Sequence, residues 1–214
     1  MNNCMKRVKA IEDAGIILKQ HRDEIQFAYK CAQLLASEET GLAVGPLNIF
    51  VEVGALAGAS LYVYGGLLAP GGVAIGIDDG KRGHKTRSNL KRSMSMLEAD
   101  GYHPEWVRGN SHKAETLAKL KDVLRGQPID FLHIDGDHSA DGSRQDWEMY
   151  GPLVRKGGIV AFHDVRGKAP CHVDETWRTI TDSGALTRVI CCGPFRIPNG
   201  KKLHKSCGIG IVYI

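Results

Sequence analysis

Short apolar runs alternate with segments of helical periodicity through most of this chain, and the alternation restricts the fold more than any other feature. Runs rich in apolar and β-branched residues predict five strands, at 48–53, 73–78, 105–109, 129–135 and 157–164. A segment of helical periodicity follows each run, such as "KAETLAKLKDVL" after the third. Strands and helices that alternate at this spacing form a parallel sheet with helices on both faces. The sequence therefore predicts an α/β fold of the Rossmann-like, doubly wound kind.

Both ends of the chain depart from the alternation. Residues 1–47 are predicted to form a helical cap region, because apolar residues recur at helical spacing in "EIQFAYKCAQLLA". Near the other end, the runs 186–192 and 208–214 are joined by a Gly-, Pro- and Lys-containing loop that is too short for a crossover helix, so they should pair antiparallel. The expected sheet is mostly parallel and seven-stranded with a C-terminal antiparallel hairpin, in one domain over 1–214.

Composition limits the classes of function. The formal net charge of +4 is too small by itself to indicate a nucleic-acid or membrane partner. No apolar stretch approaches the roughly 18 residues of a spanning helix, and "MNNCMKRVKAIEDAG" has no signal-peptide segment. The six cysteines form no CxxC pair, so reduced thiols and a cytoplasmic location are expected. The spacing of Cys192, His204 and Cys207 matches no common zinc site.

The loop "VEVGALAGAS" after the first strand lies where open α/β sheets bind ligands. Gly54 allows a tight turn, and Gly58 lets the next helix approach the strand and a ligand closely. The loop lacks the GxGxxG fingerprint of dinucleotide-binding enzymes, and Glu52 suits an ammonium group better than a pyrophosphate. A helix-capping turn whose glycines serve only packing is the alternative.

The next two strand ends carry groups that suit a nucleoside. Asp78 ends the second strand, where a carboxylate accepts hydrogen bonds from both hydroxyls of a ribose. Asp79 is the less favoured partner, since Asp78 directly ends the apolar run. Asn110 and Ser111 follow the third strand and are able to reach an adenine edge, but they suit equally well a cap for the helix that begins near Lys113.

The ExGxxxGxS loop, the acid that ends the second strand and the polar pair after the third together resemble class I S-adenosylmethionine-dependent methyltransferases. The likeness runs from about Ile49 to the end of the chain, and the loop resembles that of the catechol O-methyltransferase-like group. The resemblance implies that S-adenosyl-L-methionine binds at the strand ends and the loop. The residues it implies are Glu52, Gly54, Gly58, Ser60, Asp78, Asn110, Ser111 and Asp135.

The stretch from Phe131 to Val165 is similar to metal-dependent O-methyltransferases that include antibiotic-sugar enzymes and cephalosporin-hydroxylase-like proteins. This resemblance implies that Asp135 and Asp164 bind a divalent cation, magnesium or manganese, with His163 as a third ligand. The subgroup usually has Glu, Asp or Asn in one of the two later positions, so His163 is a departure, and an imidazole shifts the preference toward manganese, iron or zinc. Neighbouring strand residues point to opposite faces, so His163 is a ligand only if the strand has already ended there.

The same resemblance implies a catalytic role for His138, which matches the proposed general base of the sugar-modifying relatives; a solvent-exposed loop histidine is the alternative. Asp137 is expected to be a turn residue, and His133 a histidine of the core. The implied activity is O-methylation of a small-molecule hydroxyl on a sugar, a phenol or a natural product, assisted by the metal and a base.

Two other functions stay open from the sequence. The basic run "KRGHKTRSNLKR" at 81–92 is compatible with a nucleic-acid methyltransferase, although such a run is more often a solvated helix face. The Asn/Asp-Pro-Pro-aromatic motif of base methylation is replaced by "DGDH". A non-catalytic cofactor-binding protein would not need Asp135, His138 and Asp164 together. The acceptor and the oligomeric state, homo-oligomer or monomer, are left open.

Overall fold

A computed structural model describes residues 2–36, 45–166, 171–191, 195–196, 203–204 and 208–214. Cys192 and Cys207, considered above for zinc, lie outside these ranges.

The described strands fall into one large sheet and one small hairpin. They are β1 Ile49–Val53, β2 Val73–Asp78, β3 His103–Arg108, β4 Ile129–Ile134, β5 Val154–His163, β6 Thr187–Ile190, β7 Phe195–Arg196, β8 Leu203–His204 and β9 Ile209–Tyr213. The large sheet has seven strands in the order β3-β2-β1-β4-β5-β9-β6. Strands β1 to β5 pair in parallel, whereas β9 is antiparallel to both β5 and β6. The predicted sheet is confirmed; the β7–β8 hairpin was not predicted.

The burial of each strand follows its place in the sheet. All residues of β1 and β4, near the centre, are buried, as expected for strands covered on both faces. At the edge, β3 has alternating exposure and contains Pro104, which an edge strand tolerates because no ladder donor is needed on the open side.

Helices cover both faces of the sheet. They are α1 Asn3–Asp13, α2 Arg22–Ala36, α3 Ala59–Gly65, α4 His84–Ala99, α5 Ala114–Leu124, α6 Ala140–Tyr150 and α7 Val173–Asp182. Buried side chains of α1 to α4 form one apolar core with one face of the strands, and those of α5 to α7 form a second core with the other face. This arrangement confirms the doubly wound architecture, and it leaves the carboxyl ends of β1 to β5 at one common edge.

Helix α3 begins at Ala59, several residues after β1 ends at Val53. The residues between β1 and α3 include Gly54 at φ 88°, Leu56 at φ 48° and Gly58 at φ 75°, which are left-handed and incompatible with a right-handed helix. The chain therefore forms a loop at the cavity edge before the helix starts.

Candidate active site

A cavity of about 850 Å³ opens at the carboxyl ends of all five parallel strands. The switch in strand order, between β1 and β4, lies at this edge, which is where open α/β sheets bind ligands. The segment before α2, from Ile17 to Gln20, lines it as well. The predicted site residues that line the cavity are Gly54, Ser60, Asp78, Asn110, Ser111, Asp135, His138, His163 and Asp164.

Glu52 and Gly58 are not among the described residues that line the cavity, and their contact with the cofactor stays a prediction. Glu52 is fully buried, and its Oε1 lies 2.9 Å from Nδ1 of His133, the predicted core histidine. The period of two along a strand explains this, because Glu52 shares a face with Phe50, whose side chain lies in the core formed with α1 to α4. A Cβ on Gly58 would lie 2.8 Å from Cβ of Ser93 in α4, so packing between helices requires this glycine.

Gly54 is required by a close backbone approach. A Cβ at this position would overlap the carbonyl of Asp135, and the residue adopts φ 88°. The backbone N–H of Asp135 in turn donates to the carbonyl of Val53, 2.9 Å away. The loops after β1 and β4 are therefore in direct contact, and only a glycine permits Asp135 to hold its place.

Asp78 forms hydrogen bonds to the loops on either side of its strand. Its Oδ2 accepts from the N–H of Leu56 at 2.9 Å, and its Oδ1 accepts from the N–H of Gly80 at 2.7 Å. Each carboxylate oxygen has two lone pairs, so one acceptor position remains on each. This carboxylate is thus fixed in orientation with capacity for two further donors. Asp79, in contrast, forms an ion pair with Lys81.

Asn110 and Ser111 do not cap α5, whose N-cap position is Lys113. The side-chain oxygen of Asn110 accepts from the N–H of His112 at 2.8 Å, and the carbonyl of Ser111 accepts from the hydroxyl of Tyr150 at 2.6 Å. One hydrogen bond within the loop and one from Tyr150 in α6 therefore fix this loop at the cavity edge.

Two carboxylates and two histidines meet where β4 and β5 end. Nε2 of His138 lies 3.2 Å from Oδ1 of Asp135, and its Nδ1 lies 2.6 Å from Oδ2 of Asp164. Nδ1 of His163 lies 3.2 Å from Oδ1 of Asp135 and 3.3 Å from Oδ1 of Asp164. The neighbouring Asp137 accepts a hydrogen bond from the N–H of Ser139, as expected of a turn residue.

The left-handed backbone of Asp164 places its side chain on the cavity side, together with that of His163. His163 is the last residue of β5, and Asp164 adopts φ 61°, a value that is uncommon for residues other than glycine. The strand ends there, so the rule that neighbours point to opposite faces stops applying. Strained backbone of this kind is found most often where a functional side chain must be held in one direction.

The charges of this cluster stabilise one another. Hydrogen bonds to Asp135 and Asp164 raise the pKa of His138 to about 11, although burial opposes this. Burial acts to lower the pKa of His163, but the carboxylates of Asp135, Asp164 and Glu24 outweigh it and hold the pKa well above its usual range. Burial likewise acts to raise the pKa of Asp135 and of Asp164, and the two histidines hold both values below the usual range. Without a metal, the cluster therefore consists of two carboxylates and two imidazolium cations.

The cluster fits a divalent cation. One donor atom each from Asp135, His163 and Asp164 lie within 4.8 Å of one another. Both ring nitrogens of His163 are buried, and neither meets hydrogen-bond geometry with any group in the described part of the chain. Buried ring nitrogens without a hydrogen-bond partner suit a ligand role, because loss of the proton gives a lone pair that binds the ion.

Several cavity residues were not identified from the sequence. Nε2 of Gln20 donates to Oδ2 of Asp135 at 2.8 Å, and Oε2 of the buried Glu24 lies 3.4 Å from Nε2 of His163. Cys171 and His112 line the cavity too. Gln20 is separated from Asp135 by 115 positions, and nothing in the helical pattern of the first forty residues distinguishes it. Only the packing of the N-terminal segment on the sheet edge brings Gln20 and Glu24 to the cavity.

His112 contacts a buried acid. Its Nε2 lies 3.2 Å from Oδ1 of Asp146 in α6, and 3.1 Å from the carbonyl of Gly142. Burial raises the pKa of Asp146 to about 6 despite the nearby imidazole.

Residues 51–165 match a family described as a methyltransferase domain. This range is more than half of the chain and contains the strand ends after β1 to β5 that line the cavity. The chain belongs to this methyltransferase family.

An uncharacterized protein of Acanthamoeba polyphaga mimivirus is 32% identical to this methyltransferase over 76 residues. The match covers 36% of this chain and 34% of that protein, so the two are alike over only about a third of the relative's length.

Solved structures share the fold over the whole chain. One is TomG from Streptomyces achromogenes, an O-methyltransferase involved in tomaymycin synthesis that was solved with S-adenosylmethionine. It is 15% identical, with a TM-score of 0.64, and the match covers 100% of this chain and 90% of TomG. An O-methyltransferase from Bacillus cereus, solved with S-adenosylhomocysteine, is also 15% identical, with a TM-score of 0.65 and coverage of 100% and 92%. At such identities the likeness shows the fold alone, which is that of class I methyltransferases.

The basic segment 81–92 is largely exposed, and two of its arginines bind backbone carbonyls of the same chain. Nη1 of Arg87 donates to Gly80 at 2.8 Å, and Nη1 of Arg92 donates to Ala14 at 2.7 Å. Among the described residues, no helix combines the length and apolar character needed to cross a bilayer.

Proposed function

We propose that this methyltransferase transfers a methyl group from S-adenosyl-L-methionine to a hydroxyl of a small molecule, assisted by a divalent cation. The main support for the proposal is that one cavity contains two chemically different sets of side chains. Asp78, Asn110 and Ser111 follow β2 and β3, whereas Asp135, His138 and Asp164 lie across the switch point. A donor nucleoside and an acceptor hydroxyl require such different surroundings on adjacent sides of one site.

The donor side is suited to the nucleoside of S-adenosyl-L-methionine. The Asp78 carboxylate is already oriented by two backbone N–H groups and retains acceptor capacity for a ribose diol. Asn110 and Ser111 offer polar groups to the adenine of the cofactor. Two proteins of the same fold were solved with this cofactor or its demethylated product, which supports the assignment at the level of the fold.

Asp135, Asp164 and His163 are the proposed ligands of the cation. Two carboxylates and one imidazole favour manganese or another transition ion over magnesium, which prefers oxygen alone. The positive charge of a bound cation would favour ionisation of the acceptor hydroxyl.

His138 is proposed as the group that accepts the proton of the acceptor hydroxyl. In the metal-free protein its two carboxylate partners hold its pKa near 11, so the imidazole is already protonated and has no free lone pair. When those carboxylates instead neutralise a cation, their hold on the proton weakens and the pKa of His138 falls. The arrangement therefore makes the base available only in the metal-loaded protein.

Methyl transfer from radiolabelled S-adenosyl-L-methionine to a panel of sugars, phenols and other hydroxyl compounds tests the proposal. We expect transfer with added Mn²⁺ and its loss with a chelator. Transfer that persists in the chelator would remove the cation from the proposal, and label that appears only on nucleic acid or protein would replace the small-molecule acceptor. Calorimetric titration with S-adenosylhomocysteine checks the donor side without any acceptor.

A further inference from the structure

Cys171 provides a thiol on the cavity wall next to the proposed base. Its Sγ lies 3.6 Å from Nδ1 of His138, on the side of the imidazole that faces Oδ2 of Asp164. One donor atom each from His138, Asp164 and Cys171 lie within 4.8 Å of one another. This is a nitrogen, oxygen and sulfur set, distinct from the two oxygens and one nitrogen of Asp135, His163 and Asp164.

The thiol is held near the imidazole by backbone and helix contacts. The N–H of His172, next to Cys171, donates to the carbonyl of His138 at 2.7 Å. The helix that follows is fixed to α6, because the hydroxyl of Thr176 lies 2.8 Å from that of Ser143 and donates to the carbonyl of Ala140 at 3.2 Å. The three donors are thus supported by α6, α7 and the end of β5, which favours a pre-formed site.

Asp164 contributes a different oxygen to each set. Its Oδ1 lies 3.3 Å from His163, whereas its Oδ2 lies 2.6 Å from His138. The two donor sets are therefore adjacent and share one carboxylate without sharing a donor atom.

We propose that Cys171, His138 and Asp164 form a second metal site that takes a thiophilic divalent cation such as Zn²⁺. Three protein ligands of this kind with one open position are a usual zinc arrangement. Binding requires the thiol and the imidazole to release their protons to solvent, after which sulfur and nitrogen lone pairs bind the ion. If the proposed function is right, an ion at this site removes His138 from its role as base, so zinc would inhibit the methyltransferase that manganese activates.

Cobalt spectroscopy tests the site without any acceptor. Chelator-treated protein is titrated with Co²⁺, whose bond to a thiolate gives a charge-transfer band in the near ultraviolet in addition to the visible ligand-field bands. We expect this band in the wild type, its loss in Cys171→Ser, and its retention in Cys191→Ser, an exposed thiol outside the cavity lining. We also expect the band in His163→Gln, which impairs only the first site. Zn²⁺ should displace Co²⁺, with an affinity reduced by more than about tenfold in Cys171→Ser, since even outer-shell changes have effects of that size.

The other outcomes are distinct. Ligand-field bands without a charge-transfer band would overturn the thiolate site and leave the cation of the proposed function intact. A band that survives in Cys171→Ser assigns it to another thiol, and a band that disappears in His163→Gln indicates one ion shared by all donors; either result overturns a separate site. Absence of any cobalt binding contradicts both proposals. Thermal unfolding of each variant verifies that it is folded.

Discussion

Nδ1 of His138 lies 2.6 Å from Oδ2 of Asp164, although the two residues follow different strands of the sheet. The contact joins the end of β4 to the end of β5 and makes the imidazole a counter-ion of the proposed metal ligands. A proton on His138 and a cation at Asp135 and Asp164 therefore compete for the same carboxylates.

This competition predicts that manganese affinity rises with pH. The pKa of His138 near 11 means that the metal-free protein binds a proton throughout the neutral range. His163 must also lose its proton to bind the ion, so the affinity increases by up to about tenfold per pH unit for each proton that leaves. Calorimetry in buffers of different ionisation enthalpy counts the protons released.

We expect the count to be smaller in His138→Gln and unchanged in His103→Gln, an exposed histidine at the sheet edge. The same count in the wild type and in His138→Gln would show that His138 stays protonated in the loaded site, where it is unable to act as the base.

Asp78→Asn should weaken the binding of S-adenosylhomocysteine by about 1–3 kcal/mol, the usual effect of losing hydrogen bonds to a charged group. The neutral amide keeps the size of the side chain but offers one acceptor oxygen in place of two. Titration calorimetry measures the change, with Asp79→Asn as the matched control because this half-buried carboxylate lines the same cavity but pairs with Lys81. Equal losses in both variants would indicate a general effect of charge rather than a ribose contact.

Gly54→Ala should destabilise the protein by more than about 2 kcal/mol, since a left-handed non-glycine residue alone costs about 1–2 kcal/mol. The added Cβ overlaps the carbonyl of Asp135 and forces the loops after β1 and β4 apart. Gly71→Ala is the control, because it has a similar φ of 78° but no described atom within 4 Å of its Cβ position. Urea unfolding compares the two, and equal losses would refute the close approach.

Gln20→Ala should weaken the binding of manganese by about 10–100-fold, the usual effect of removing a hydrogen bond to a metal ligand. Its Nε2 donates to Oδ2 of Asp135, and the variant leaves that carboxylate less firmly oriented. Affinity for S-adenosylhomocysteine should change far less, which separates this loss from unfolding. Gln33→Ala, an exposed change on α2, serves as the control. Unchanged manganese binding in Gln20→Ala would make Gln20 a packing residue.

The periodicity of the sequence was sufficient to predict the sheet and the cavity edge. Runs of Val, Ile and Phe determine which segments become central strands, and parallel strands place their carboxyl ends together. Asp78, Asp135 and Asp164 end such runs, so their presence at one edge follows from local sequence alone.

Tertiary structure decided which groups meet there. Glu52 pairs with His133 in the core because the phase of β1 turns its side chain away from the cavity. His163 and Asp164 share a side only because Asp164 is left-handed, a strain that surrounding contacts have to maintain. Gln20 and Cys171 reach Asp135 and His138 from segments 115 and 33 positions away. Such contacts depend on how helices pack on the finished sheet, and hydrophobic periodicity carries no information about the partners of a single polar side chain.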